Sequence, residues 1–449
     1  MNIPAVHRAA RPSRIFPLAL FVVFLASVIL ATVASAGETA AIDSGDTAWV
    51  LMSAALVLLM IPGLAFFYGG LVRKKNVLSI LMQCFMLMGV ITIQWIVVGY
   101  TLAFGTDIGG VIGGMDFFGM RNVGIGANPA FSETIPHQAF MIFQAMFAII
   151  TPALIVGAFA ERMKFAAFLV FSVLWSTLVY DPVCHWVWGG GFLGGDGALD
   201  FAGGTVVHVN AGMAALAAAL VLGKRKTYPE KTSPPHNLPF AVLGAGLLWF
   251  GWFGFNAGSA LSAGTLAANA FVVTHVATAA AGLTWALLDW LIHTRPTVLG
   301  LITGIIAGLV AITPAAGFVN IMGSVWIGIG SSAICYFMVM YVKEKLGYDD
   351  SLDAFGVHGM GGIWGALATG LFATTAVNAD GANGLFYGNA GQFLIQIKAV
   401  AVTMVYSFVV SVLLLKLVGL FMPLRADDKE ERIGLDVTEH REAGYTLID

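Results

Sequence analysis

The residues best able to do chemistry in this chain are two histidines. His208 and His358 lie inside apolar, glycine-rich stretches, GTVVHVNAGMAALAAALVLG and FGVHGMGGIWGALATGLFA. An ionisable side chain inside a membrane-length apolar segment is costly, so it faces a bundle interior or a cavity and marks a route for ions, protons or polar molecules. VHxxxG recurs 150 positions apart, and Asp200 and Asp353 precede the two histidines by eight and five residues, as though half the chain were built twice. Each aspartate admits two readings. A carboxylate at a mouth draws cations, whereas one ahead of a helix caps its first N–H groups. The cap is favoured for Asp200, and Asp353 shares the same split.

Aromatic residues say which cation such a route would admit. Phe143 and Phe147 are four apart on one helical face of FQAMF, Trp186 and Trp188 fall in HWVWGGG, and WFGWFGFNAGSA supplies Trp249, Trp252, Phe255, Asn256 and Ser259. Most of these rings read as core packing or interface belt. Trp188, ahead of a glycine run, is the exception, because an aromatic face holds a small cation by its quadrupole for roughly 0.5–2 kcal/mol. His137, His185 and His275 fall near outer helix ends, where a histidine needs no special explanation, and His236 in PHNLP reads as part of a structural turn.

Enzymatic readings find no support. HExxH, GxSxG, GxxxxGK[ST] and CxxC are all missing from the sequence, and with them the metalloprotease, hydrolase, P-loop and dithiol chemistries they signal. No cofactor and no nucleic acid is expected. Without an ATP site, movement of a solute must draw on its own gradient or on the membrane potential, which supplies about 2.3 kcal/mol per charge per 100 mV. A haem-binding redox protein, with intramembrane histidines as axial ligands, is the competing class.

The elements that position these residues follow from composition. The chain is 58% hydrophobic and 10% charged, against about 25% charged in soluble domains, and so reads as an all-α polytopic membrane protein. Residues 1–36 read as a cleaved signal peptide: Arg8, Arg11 and Arg14, an apolar run, then Ala34-Ser35-Ala36 before Gly37. At about 20 apolar residues per crossing, eleven spans fit between 37 and 424, near 46–71, 77–104, 137–160, 164–188, 201–223, 238–260, 267–292, 297–316, 320–343, 355–376 and 392–423. Alternate loops hold twelve Lys and Arg residues, from Arg73 to Lys345, and the other set holds Arg121 alone. The positive-inside rule therefore puts the mature amino terminus outside and the carboxyl terminus in the cytoplasm. Five spans per half, each half ending in its histidine helix, makes spans 1–5 and 6–10 inverted repeats that meet near the bilayer midplane. The eleventh span is a brace. Cys84, Cys184 and Cys335 lack metal spacing and read as packing residues, and residues 425–449 read as a short, charged cytoplasmic tail.

With these residues in view, the chain resembles the ammonium transporter family, the Amt, Mep and Rh proteins, and specifically its bacterial Amt branch. The strings that carry the resemblance include PGLAFFYGGLVRKKN, FQAMFAIITPALIVGAFAERMKF, WVWGGGFL, LDFAGGTVVHVNAG, PHNLP, WFGWFGFNAGSA, DDSLDAFGVHGMGGIWG and GLDVTEHREAGY, in family order from about residue 44 to 445. The resemblance implies a homotrimer in the lipid bilayer, one pore per protomer, conducting ammonium or ammonia, with methylammonium as an analogue. It implies a recruitment site of Trp188, Phe147 and Ser259 supported by Asp200, a gate of Phe147 and Phe255, and pore histidines His208 and His358. Phe143, Trp252, Asn256 and Asp353 stand beside them as supporting residues. It also implies that a cytoplasmic P-II signal protein docks on the inner loops and tail. Arg441 departs from the tail motif, where glycine is usual, and Asp181 has no assigned part. The rival within the family is an ammonium sensor with little conduction; such sensors need an output module, and the short tail offers none.

Overall fold

The computed structural model describes residues 42–226, 228 and 234–445; the expected signal peptide and Lys231 lie outside them. The described chain is a bundle of helices, with two small antiparallel hairpins between the second and third: Asp107–Ile108 with Ile112–Gly113, and Ala127–Asn128 with Ser132–Pro136.

The bundle helices are α1 Ser44–Leu71, α2 Lys74–Phe104, α3 His137–Phe159, α4 Phe165–Gly195, α5 Gly204–Leu222, α6 Leu238–Ala260, α7 Thr265–His293, α8 Val298–Ile312, α9 Ile321–Leu346, α10 at 355–372 and α11 Ala390–Phe421. Nine of these, among the described residues, are long and apolar enough to cross a membrane by length and composition. The eighth and tenth expected spans are shorter. The eighth is a 15-residue helix, whose predicted last residues turn at Thr313–Phe318 instead, and α10 stops at Phe372 rather than 376.

Local sequence sets where helices start. Asp43, Asn237, Thr297, Asn320 and Asn389 each accept a bond from a first-turn N–H with their side chains, satisfying donors that helix geometry leaves unpaired. Helical order is interrupted at both histidines, as it is at Trp95–Gly99, Ser176–Tyr180 and Met338–Val342. Gly204–Val209 and Phe355–Gly359, the opening turns of α5 and α10, are π-helical and contain His208 and His358, in keeping with the enrichment of such turns at functional sites.

The two histidine helices run in opposite directions. Arg225, just past the end of α5, pairs with Asp349, just ahead of α10, at 2.9 Å, so the last turn of one helix neighbours the first of the other. This is the geometry of inverted repeats. They cross at glycine, where a Cβ built on Gly212 would lie 2.1 Å from Gly359 Cα. The brace joins both. On α11, Ser407 Oγ donates to Asn210 O at 2.7 Å and Gln396 Nε2 to Ala366 O at 3.0 Å.

The tail is less free than a solvated appendage. A short helix, α12 Asp428–Ile433, opens with a full capping box between Asp427 and Glu430. Lys164 pairs with Glu430 and Glu439 at 2.5 and 3.0 Å, Arg425 pairs with buried Glu431 at 2.8 Å, and Asp436 accepts from Ser79 N at 2.8 Å on α2. The segment thus folds back on the α3–α4 connection and the start of α2.

Candidate functional site

From one end of the bundle to its centre, Trp188, Phe147, Phe255, His208 and His358 form a single column. Trp188 closes the segment Asp181–Trp188 of α4, and its indole Nε1 donates to Asp200 O at 2.8 Å. Phe147 on α3 meets the Trp188 ring edge-on, with centroids 5.8 Å apart, and Phe255 on α6 lies 4.5 Å beyond it. Both phenylalanines are buried, and Phe143 backs Phe147 at 5.0 Å. Ser259, one turn after Phe255, donates its hydroxyl to Phe255 O at 2.8 Å, which leaves the oxygen lone pairs able to accept from a cation.

Asp200 does not offer a free carboxylate to this mouth. Its Oδ1 and Oδ2 accept from the N–H groups of Gly203, Gly204, Thr205 and Val206 at 2.6–3.0 Å, so the side chain caps α5 while its carbonyl fixes Trp188. The cap is set by the turn before it, where Gly203 adopts φ 114°, a conformation L side chains rarely take.

His208 follows Phe255 at 6.0 Å, and His358 follows His208 at 5.4 Å with ring planes 15° apart. Trp252 lies against His208 at 5.4 Å, and its indole is fixed by Thr313 Oγ1 at 2.8 Å. Among the described residues, neither nitrogen of His208, nor Nδ1 of His358, has a protein hydrogen-bond partner. A buried donor or acceptor left unpaired costs about 1–3 kcal/mol, so these nitrogens do not stabilise the fold through protein hydrogen bonds. They line a cavity of about 10 Å³ whose other walls are apolar, among them Leu64, Phe67, Ile150 and Ile306. That is about the space one water needs, and too little for a haem.

On the far side of His358 the passage widens into a vestibule of about 760 Å³ rimmed by Arg73, Arg225, Lys343, Glu161 and Asp349. Burial raises the Glu161 carboxyl, but Arg73 and Arg225 outweigh it and hold it below its ordinary 4.5. Asp349 is likewise held down, against its burial, by Arg225 and Arg162.

Asp353 is placed differently from its expected role. Its carboxylate pairs with Lys343 rather than capping α10, and its backbone is left-handed at φ 59°. The cap is Asp350, whose oxygens accept from Ala354, Phe355 and Gly356 N–H at 2.8–3.3 Å. Asp350 stands eight residues before His358, as Asp200 stands eight before His208; the matched spacing was the overlooked signal. Asn256 is buried and donates to Thr274 Oγ1 at 2.9 Å, outside the column's ring contacts. Asp181 is fully buried and accepts from Gln94 Nε2 at 2.7 Å. Burial also claims His137 and His185, and His275 stacks on Trp249 at 5.3 Å.

Known proteins share this chain's sequence and fold. The family model described as "Ammonium Transporter Family" matches residues 48–445. An ammonium transporter of Bacillus subtilis is 55% identical over 402 residues, covering 89% of this chain and 98% of the relative, and one of Aquifex aeolicus is 51% identical over 421 residues, covering 93% and 97%. Among solved structures, Saccharomyces cerevisiae Mep2 superposes with a TM-score of 0.82 at 38% identity, covering 89% of this chain and 93% of that one. A structure titled "Sensor Amt Protein" reaches 0.82 at 31% identity, covering 88% and 98%. In sequence and in fold, the chain belongs to the ammonium transporter family.

Proposed function

We propose that the protein is an ammonium uptake channel of a bacterial inner membrane. In this reading, it recruits NH4+ at Trp188, Phe147 and Ser259, removes a proton, and conducts NH3 past the Phe147–Phe255 gate and along His208 and His358. The observation that carries the reading is the small apolar cavity walled by two imidazoles whose ring nitrogens the protein itself leaves free to bond. Removing a cation such as ammonium from water favours its neutral form, as burial lowers a lysine pKa. Potassium has no proton to lose and meets the full cost of burying a charge. Dehydration therefore sorts the two ions.

The proton takes a separate route in this proposal: the adjacent imidazoles titrate as a coupled unit and pass it inward, so that net NH4+ crosses. His208→Ala and His358→Ala should each change methylammonium uptake into proteoliposomes; unchanged uptake in both would remove the pore role. On a solid-supported membrane an ammonium jump should give an inward current, and its absence would restrict transport to neutral NH3.

The second reading is an ammonium sensor with little conduction, favoured by the superposition on a protein titled as a sensor. Uptake at a rate no greater than protein-free liposomes would select it. The family resemblance further supports a homotrimer of eleven-span protomers, amino terminus periplasmic and tail cytoplasmic, with P-II docking on the inner loops and tail.

A further inference from the structure

Three residues before Asp200's partner Trp188 comes a histidine that the conduction column leaves unused. His185 lies three residues ahead of Trp188 on α4 and is fully buried, with both ring nitrogens engaged. Nδ1 is 2.9 Å from Ala103 O and Nε2 is 2.9 Å from Asp107 Oδ1. A carbonyl oxygen only accepts, so Nδ1 carries hydrogen. The second contact sets Nε2 against the Asp107 carboxyl, which the bond with His185 and the Gly110 N–H hold below its ordinary 3.8. Asp107 belongs to the first outer hairpin and accepts from Gly110 N at 2.8 Å through the same Oδ1.

That hairpin and the turn bearing Trp188 are knitted together. His185 O accepts from Gly189 N and Gly191 N at 3.0 and 2.9 Å, Phe192 N donates to Gly110 O at 3.0 Å, and Trp186 Nε1 donates to Val111 O at 2.7 Å. The packing leaves no slack, since a Cβ on Gly189 would come within 1.9 Å of Ala103 O. Each of these bonds fixes the backbone on one side of Trp188, and the Asp107–His185 contact ties the hairpin to the helix from side chain to side chain.

We propose that Asp107 and His185 are positioning residues for cation recruitment: they hold the hairpin against α4 and so fix the Trp188 indole over the mouth without touching the cargo. The proposal rests on Trp188 being a recruitment residue, and the test separates the two claims. Methylammonium uptake by the full-length chain, normalised to the amount of folded protein, is measured for Asp107→Ala, Asp107→Asn, Trp188→Leu and the double variant Asp107→Ala/Trp188→Leu.

Trp188→Leu should raise the half-saturating concentration by about 2- to 30-fold, the range expected for a lost cation–π contact. Asp107→Ala should raise it about two- to tenfold, as for a lost hydrogen bond, with the maximal rate little changed. Asn at 107 still offers a bond to Nε2 and should restore the wild-type value. In the Trp188→Leu background, Asp107→Ala should add nothing. An unchanged Trp188→Leu overturns the recruitment reading. A shifted Trp188→Leu overturns the positioning inference if Asp107→Ala is silent, lowers only the maximal rate, or adds its full effect in the double variant.

Discussion

Gly212 and Gly359 touch backbone to backbone where α5 crosses α10, with no room for a side chain between them: a Cβ on Gly212 would fall 2.4 Å from Gly359 N. His208 and His358 each lie within one helical turn of this crossing, so the closeness of the imidazoles depends on two residues that have no functional groups. Gly212→Ala should force the helices apart at a cost of about 1–3 kcal/mol, as for overpacked cores. Its melting temperature in detergent should fall, and methylammonium uptake should fall with it.

Asp350 and Asp353 should behave oppositely to what proximity to His358 implies. Asp350→Ala removes a carboxylate that satisfies three N–H groups of α10 and should cost about 0.5–2 kcal/mol, typical of a lost cap. Asp353→Ala loses one ion pair with Lys343 whose partners keep 21% and 26% side-chain exposure, and should cost less than about 1 kcal/mol. Thermal unfolding of the two variants side by side checks the order.

Glu161 gives the vestibule rim a defined acid sensitivity. Its folded carboxyl lies below its ordinary 4.5, because Arg73 and Arg225 outweigh its burial. The stability it contributes is therefore complete above that value and is lost as pH falls through the lower folded one. A melting-temperature profile should drop in that acid window for the wild type and be flatter there for Glu161→Gln, which should be less stable near neutrality.

Arg441 adopts φ 60° at the end of the Asp436–His440 turn, the left-handed region that glycine enters freely and an L side chain enters at about 1–2 kcal/mol. The conformation explains why glycine suits this point of the tail. Arg441→Gly should tighten the docked tail by about 1 kcal/mol, read as slower cleavage near residue 441 in limited proteolysis.

Most of the fold was legible because membrane helices announce themselves by length and composition: α1, α3, α6 and α11 lie within about two residues of their expected limits. The misjudged ends were 188, where α4 runs on to Gly195, and 313–316 and 373–376, where apolar residues leave the helix for turns that hydropathy cannot distinguish from helix. The column of Trp188, Phe147, Phe255, His208 and His358 was legible from residue type and family motif. Asp350 was missed because Asp353 stands nearer to His358, and nearness in sequence says little about which carboxylate faces a helix end. His185 was read as unremarkable because the ties that define it come from Ala103 and Asp107, 82 and 78 positions away.

Under the proposed function, the chamber beside the two imidazoles, with space for about one small molecule, makes the protein a turnstile. Occupants must queue, and none can overtake. A methylated amine that lingers there delays every lighter solute behind it, so the flux from a mixture should fall short of what the same solutes achieve singly.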